Sequence, residues 1–432
     1  MTGNDGSPTT PRPVVQVRLA DAGDLFMAWR WTSGAQGFGT GYAPRDEVDG
    51  AVRALAAALP GPDEGMRGAF TSGAMADHRT EHRLARRLAE ALWPVGLTRQ
   101  LRHVSAGGAR RPLVRIQPSP RVAQVPWELL AVDDETDVRL LDLADVVTTA
   151  PVSLRQQPGT AARPAAPTEA DGDGDAVVLV LDPRVPGFRA DSPLGSVLGP
   201  AGSDPALLSL VRRHLDTGVV EPPLATAAEA FRRTDLDRDW LSRVLREGAR
   251  RLLYVGHVSG APVEHGQSED AALHLCCGPG TTGFTEPVRT HRPLSAKDLL
   301  LGTLTLRADG VPGSRLWPAP RRVALIACES GGDLRFTESF GLASAMIHNG
   351  AELVTATRWV LPTSFAFHRL AGLAESVRPL SEAIIAVDTA HEHPDPVHRL
   401  GLWQREQLDR WRTGHRIEHS PLLWAAMSCV VV

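Results

Sequence analysis

Two side chains that can form a nucleophile–base pair, Cys328 and His257, each follow a short apolar run. Residues 251–255 (RLLYV) precede His257 through one glycine, and residues 323–327 (VALIA) directly precede Cys328. A thiol becomes a good nucleophile when a neighbouring base raises its thiolate fraction. Because open parallel α/β sheets place reactive groups just past the carboxyl ends of their strands, the pattern predicts that this imidazole and this thiol meet at one end of a sheet.

Each of the two residues also has an ordinary interpretation. A cysteine at a strand end is usually a small buried apolar side chain, and a single histidine after a strand is equally ambiguous. Their occurrence together, at consecutive strand ends, favours a catalytic dyad. Residues 329–333 (ESGGD) follow Cys328 as a glycine-rich turn, whose backbone N–H groups can stabilise the oxyanion of an acyl intermediate.

The elements that would position this pair alternate along the second half of the chain. A continuous apolar run is typical of a strand covered on both faces, and one occurs at residues 176–181. The mostly apolar segments 251–255, 323–327 and 352–356 predict three further strands. Helical patterns separate them, at residues 204–215, 227–247 and 337–349. This alternation predicts an α/β fold with a mostly parallel sheet flanked by helices.

A Pro/Ala/Gly/Asp-rich stretch at residues 156–175 has the composition of a linker and predicts a domain boundary. Residues 1–12 are polar and predict a disordered lead. Residues 13–155 predict an N-terminal α/β region, and residues 176–432 predict the domain that holds His257 and Cys328.

Composition narrows the class of protein. The chain has 432 residues, 43% of them hydrophobic, and a net charge of −4, which is typical of a soluble globular protein and gives no reason to expect nucleic acid as a direct partner. No apolar run approaches the roughly 20 residues of a membrane helix. The four cysteines lack zinc-site spacing, and two of them are the adjacent Cys276 and Cys277, so we expect no metal site and a reducing, cytoplasmic location.

Several segments resemble the CHAT family of caspase-like cysteine peptidases, which belong to clan CD with separase and the metacaspases. Residues 327–331 (ACESG) are similar to the nucleophile motif of that family. Further matches follow in family order: residues 125–130 (VPWELL), 253–260 (LYVGHVSG), 340–343 (FGLA), 354–359 (VTATRW) and 421–426 (PLLWAA). The resemblance extends from about residue 80 to the last residues, and it adds a caspase-like sheet to the expected fold.

The resemblance implies hydrolysis of peptide bonds in a dedicated protein target, with no metal or organic cofactor. His257 would be the base and Cys328 the nucleophile, and the backbone N–H groups of Val258 and Cys328 would form the oxyanion hole. It also implies an effector of a bacterial stress or anti-phage (antiviral defence) system, switched on by a separate sensor or activator protein. The N-terminal region would then be a pseudo-peptidase unit packed on the active one.

Two acidic residues are candidates for substrate binding. Asp182 directly follows the run 176–181, at the strand end where related peptidases form their specificity pocket. A carboxylate there would select Arg or Lys. Its alternative is an ordinary turn aspartate before proline. Asp333 is the second candidate, and its alternative is a solvated acid at the start of a helix.

The sequence leaves three functional hypotheses open. The first is an active endopeptidase. The second is a catalytically weak or dead scaffold that binds a protein partner, because Val258 stands where the family usually has glycine. The third is a thiol acyltransferase or hydrolase of another class that uses the same dyad.

Overall fold

The computed structural model describes residues 11–61, 64–107, 110–133, 136–151, 176–200, 202–261, 266–336 and 338–432, without the side chains of Glu64 and Asp333. Ten residues of the predicted disordered lead and all of the predicted linker at 156–175 lie outside these ranges.

One 11-stranded sheet runs through the molecule. In chain order its strands are β1 (Val14–Ala22), β2 (Asp24–Ser33), β3 (Phe38–Ala43), β4 (Leu113–Gln117), β5 (Asp145–Thr149), β6 (Val177–Leu181), β7 (Val220–Glu221), β8 (Arg251–Val255), β12 (Arg322–Ile326), β13 (Leu353–Thr357) and β14 (Met427–Val431). A separate three-stranded sheet contains β9 (Val258–Ser259), β10 (Ala272–Leu273) and β11 (Leu294–Ser295).

The large sheet has the order β3-β2-β1-β4-β5-β14-β13-β12-β8-β6-β7. Antiparallel pairing is confined to β1–β2, β2–β3 and β13–β14, and the remaining strand pairs are parallel. This architecture confirms the predicted fold class, a caspase-like α/β fold with a mostly parallel sheet.

Helices cover both faces of the sheet. They are α1 (Arg45–Ala56), α2 (Glu64–Thr71), α3 (His78–Leu92), α4 (Val95–Ala106), α5 (Leu140–Leu143), α6 (Pro205–Thr217), α7 (Arg238–Glu247), α8 (Ala296–Leu301), α9 (Gly313–Leu316), α10 (Leu342–His348), α11 (Ser364–Ala371), α12 (Pro379–Glu392), α13 (Pro396–Gly414) and α14 (Pro421–Trp424). Over the part of the chain that the structure describes, none of them combines the length and apolar character needed to cross a bilayer.

The central strands are buried because helices pack on both of their faces. Every residue of β6, β8 and β13 is buried, as the continuous apolar runs of these segments predict. Two hydrophobic clusters fill the two sides of the sheet, and alternate residues of β8 point into each: Leu253 and Val255 into one, Leu252 and Tyr254 into the other.

Strand β14 lies between strands from the two halves of the chain. It pairs antiparallel with β13 and parallel with β5, so residues 13–155 and 176–432 contribute to the same sheet. The domain boundary at residues 156–175, and the pseudo-peptidase character of the N-terminal region, stay predictions.

Candidate active site

His257 and Cys328 follow strands that are neighbours in the sheet. Strands β8 and β12 are parallel and in register, with Val255 opposite Ile326. Each candidate residue lies two positions beyond that pair, and neighbouring strands are about 4.8 Å apart. Both residues therefore follow the same end of the sheet, while the meeting of their side chains and their catalytic roles stay predictions.

The turn after Cys328 explains the residue types of its motif. Glu329 has a φ of 52°, a left-handed conformation that reverses the chain directly after the cysteine. The Ser330 hydroxyl is buried and donates to the carbonyl oxygen of Leu325 at 2.6 Å. A Cβ on Gly331 would lie 3.1 Å from the Cβ of Ala356, so glycine lets the turn pack closely against β13. The motif thus builds a tight, internally bonded turn that presents the thiol.

The thiol of Cys328 is protonated at rest. Burial raises the pKa of this thiol, and the nearby carboxylate of Glu329 raises it further, whereas a hydrogen bond from the main chain of Leu361 favours the thiolate. The Cys328 residue is half-buried. Because the raised pKa leaves little thiolate at neutral pH, nucleophilic chemistry at this sulfur would require a base that removes its proton.

The imidazole of His257 is held in a defined tautomer. Its Nε2 lies 3.2 Å from the carbonyl oxygen of Gly195, which can only accept, so Nε2 carries the proton. Burial lowers the pKa of His257, although the Gly195 carbonyl and Asp182 partly oppose this, so the ring is neutral at neutral pH. The lone pair is therefore on Nδ1, which has the acceptor character that a base for the Cys328 thiol requires.

The described structure has no direct hydrogen bond between the side chains of His257 and Cys328. Within the described ranges, His257 bonds through its side chain to Gly195, and no hydrogen bond joins it to Cys328. Catalytic hydrogen bonds often tighten only when substrate binds, so the shared end of the sheet is the informative observation here.

Asp182 anchors the loop that carries Gly195. Its carboxylate accepts hydrogen bonds from the Ser196 hydroxyl at 2.5 Å and the Val197 N–H at 3.1 Å, and it pairs with Arg232 at 3.3 Å. The residue is only 1% exposed and has a φ of 52°. These contacts fix the loop against the end of β6 and thereby place the carbonyl that orients His257.

The structure describes the side chain of only one of the two acids that were expected to bind substrate. The carboxylate of Asp182 already has partners within the chain, which favours a positioning role over a direct contact with substrate. Asp333 belongs to the short helical turn Gly332–Arg335, but its side chain lies outside the described part of the structure. Both substrate-binding roles stay predictions.

The backbone N–H of Val258 is free of the β9–β10 ladder. Val258 is opposite Leu273, and the neighbouring pair is hydrogen-bonded because the His274 N–H donates to the His257 carbonyl oxygen at 3.1 Å. Antiparallel pairs alternate between bonded and non-bonded, so the Val258 N–H points away from β10. Strand β9 is an edge of its sheet, which leaves this N–H available to an oxyanion.

Valine fits at this position although the family usually has glycine. Val258 is not among the described residues with positive φ, so its backbone conformation does not require glycine. Its side chain is buried in one of the two hydrophobic clusters. The substitution therefore anchors the strand without removing the N–H.

Two residues near His257 carry roles that the sequence did not reveal. Gly195 contributes a main-chain carbonyl, for which no side-chain pattern exists. Tyr254 is buried in β8, and its hydroxyl donates to the carbonyl oxygen of His257 at 2.6 Å. Its apolar neighbours in RLLYV gave it the pattern of an ordinary strand residue, and a buried tyrosine hydroxyl close to the histidine motif was the available signal.

A shallow pocket adjoins the turn after Cys328. The ion pair between Glu329 and Arg335, at 3.5 Å, forms part of its wall. The other lining residues are Gly260, Ala261, Ser268, Ala271, Ser330, Gly332, Phe336 and Leu342. Because both charges are partly exposed, this pocket can offer either sign of charge to a bound side chain.

One group among the described residues brings three potential metal ligands together, and it lies away from this site. His214, Asp388 and Glu392 place their ligand atoms within 4.8 Å of one another. Arg251 pairs with Asp388 at 2.9 Å and with Glu392 at 3.1 Å, so a guanidinium occupies the position between these acids. The cluster is an ion-pair network that ties α6 and α12 to β8.

An α/β sheet that brings a histidine and a cysteine to neighbouring strand ends has the arrangement of a caspase-like peptidase. The family model of the CHAT domain matches residues 82–431, and the chain belongs to this family, which is a caspase-like peptidase family. No curated protein matched the chain.

Proposed function

We propose that this protein is a cysteine endopeptidase in which His257 and Cys328 form the catalytic dyad. The observation that carries the proposal is the register of β8 and β12, which brings both residues to one end of the sheet. The orientation of His257 supports it, because Gly195 holds the Nε2 proton and leaves the basic lone pair on Nδ1.

The proposed reaction begins when His257 Nδ1 accepts the proton of the Cys328 thiol and the sulfur attacks the carbonyl carbon of the peptide. The N–H groups of Val258 and Cys328 stabilise the resulting oxyanion. The protonated Nδ1 then donates to the departing amine, the C–N bond breaks and a thioester remains. Water, deprotonated by the same nitrogen, hydrolyses the thioester and regenerates the thiol.

The proposed substrate is a dedicated protein target, and the proposed setting is a bacterial stress or anti-phage system with a separate sensor or activator. This setting is the one that the resemblance to the CHAT family implies. The raised pKa of the resting thiol supports a need for activation, because a site with little thiolate cleaves slowly until a ligand or partner brings His257 onto Cys328.

The test is cleavage of a peptide library by the purified chain, with and without co-expressed candidate partners. The Cys328→Ala variant should lose cleavage completely, and His257→Ala should lose at least about a hundredfold. Cys276→Ala is the matched control, because that thiol has its pKa raised to about 12 by burial and bonds to the Arg233 carbonyl. Cleavage that persists in Cys328→Ala would exclude the proposal.

A partner-binding scaffold is the second candidate, and the raised pKa of Cys328 favours it. In that case the Cys328→Ala variant would retain partner binding and any cellular effect. Acyl transfer without hydrolysis would instead show labelled thioester on Cys328 and no cleaved peptide.

A further inference from the structure

A chain of three hydrogen-bonded side chains lies beside His257. The Ser259 hydroxyl is 2.7 Å from Nε2 of His274, and Nδ1 of His274 is 3.1 Å from Nε2 of His291. Nδ1 of His291 is 2.9 Å from the carbonyl oxygen of Cys277. The chain therefore connects β9, which carries Val258, to β10 and to the loop that leads into β11.

The Cys277 carbonyl, at the end of this series of hydrogen bonds, determines which nitrogen of each histidine donates and which accepts. The Cys277 carbonyl only accepts, so His291 donates from Nδ1 and accepts at Nε2. His274 then donates from Nδ1 and accepts the Ser259 proton at Nε2. Burial lowers the pKa of His274 to about 3 and lowers that of His291, so both rings stay neutral and the pattern persists across the physiological pH range.

The same elements hold one particular peptide unit. The carbonyl oxygen of His257 accepts from the Tyr254 hydroxyl at 2.6 Å and from the His274 N–H at 3.1 Å. This carbonyl and the N–H of Val258 belong to the same planar trans peptide, in which C=O and N–H point in opposite directions. Two donors on the oxygen therefore fix the direction of the Val258 N–H on the other side.

We infer that Tyr254 and His274 are positioning residues that aim the Val258 N–H at the oxyanion of a tetrahedral adduct on Cys328. The inference rests on the proposed function. Tyr254 acts directly on the His257 carbonyl, and His274 acts by keeping β10 in register through its bonds to Ser259 and His291. The ligand class is a carbonyl compound that becomes an anionic adduct, such as a peptide bond or a peptide aldehyde.

Two chemical probes distinguish a change in the direction of the Val258 N–H from a general loss of structure at the site. A panel of capped peptide aldehydes forms a hemithioacetal with Cys328, whose oxyanion needs the Val258 N–H, whereas alkylation by iodoacetamide displaces iodide and forms no oxyanion. The Tyr254→Phe variant keeps the ring and removes the hydroxyl. We expect it to bind the best aldehyde about tenfold more weakly and to lower kcat about tenfold at unchanged KM, with the alkylation rate of Cys328 within about twofold of wild type.

His274→Asn is the second variant, because the shorter asparagine amide keeps a donor towards His291 but loses the acceptor for the Ser259 hydroxyl. We expect this variant to lose about threefold in aldehyde affinity, less than Tyr254→Phe. His391→Asn is the matched control. His391 is also buried, has its pKa lowered to about 3 and bonds to a hydroxyl, that of Thr355 at 2.7 Å, but it lies outside the site. It should bind the aldehyde like wild type.

Wild-type aldehyde affinity in Tyr254→Phe would overturn the inference. Equal losses in aldehyde binding and alkylation would also overturn it, because they would indicate a structural role. A wild-type protein that neither binds an aldehyde nor shows selective alkylation of Cys328, mapped by mass spectrometry, would overturn the proposed dyad itself and the inference with it.

Discussion

The stability of this protein should fall steeply on mild acidification, and His391 provides the cleanest test. Burial lowers the pKa of His391 from 6.5 to about 3, and the nearby positive charge of Arg251 contributes. The residue is only 3% exposed. The folded protein therefore keeps this ring neutral at pH 5, whereas the unfolded chain protonates it.

The magnitude follows from proton linkage. Below pH 6.5 the unfolded state binds a proton that the folded state does not, so the free energy of unfolding falls by about 1.4 kcal/mol for each further pH unit until the folded pKa is reached. Between pH 7.5 and pH 5.0, His391 alone should cost about 2 kcal/mol. The stabilising neutral form is thus fully effective above pH 6.5 and loses its effect towards pH 3.

The assay is urea unfolding, followed by tryptophan fluorescence, of wild type and His391→Gln at both pH values. The variant should lose about 2 kcal/mol less than wild type on acidification, whatever its stability at pH 7.5, because the remaining titrating groups are common to both. Thr355→Val is the control, since it removes the hydroxyl partner of His391 but keeps the buried imidazole, and its pH dependence should match wild type. An unchanged pH dependence in His391→Gln would refute the reasoning.

Three further outcomes follow from the structure. Asp182→Asn should lower kcat by about tenfold to a hundredfold with little change in KM, because it loosens the loop that orients His257; a change confined to KM would instead support a substrate-binding role. Alkylation of Cys328 by iodoacetamide should rise about tenfold per pH unit up to pH 8.5, since the pKa of the thiol is raised, and a plateau below pH 7 would contradict this. Glu81→Gln should destabilise the fold by about 2 kcal/mol in thermal unfolding, because it removes the fully buried one of the two carboxylates, Glu81 and Asp137, that pair with the buried guanidinium of Arg139. A loss below about 1 kcal/mol would contradict the importance of this pair.

The central sheet was predictable because its signal is simple. Strands covered on both faces favour apolar residues, and the segments at β6, β8, β12 and β13 are mostly apolar, so their predicted bounds differ from the observed ones by one residue at most. The family order of motifs then identified the two strand ends that matter.

Strand β3 and helix α2 were not predicted, and glycine explains both. In β3 the alternation is broken by Gly39 and Gly41, yet a Cβ on Gly39 would lie 2.1 Å from the ring of Trp29, so the strand contains glycine in order to pack against that ring. Helix α2 contains two glycines, Gly65 and Gly68, which weaken its helical pattern. It contacts α11 through the edge-to-face pair of Phe70 and Phe367, a tertiary contact that no local pattern reports.

The side chains of the candidate site could be predicted from the sequence, but its main-chain hydrogen-bonding groups could not. Cys328 and His257 are recognisable from residue type and position. The Gly195 carbonyl lies on a loop 62 residues before His257, and the direction of the Val258 N–H depends on the placement of a two-residue strand. Neither leaves a signal in residue type. Asp182 could be singled out from the sequence, but the contact that its loop makes, from the Gly195 carbonyl to His257, could not.

The position of β14 has a consequence for synthesis. Residues 427–431 fill the gap between β5 and β13, so a nascent chain that has already emerged past Cys328 still has two open sheet edges on either side of that gap. Until the ribosome has released this stretch, the dyad sits on half a sheet. The strands that lead to His257 and Cys328 can therefore join those of the N-terminal region only after residues 427–431 have been made.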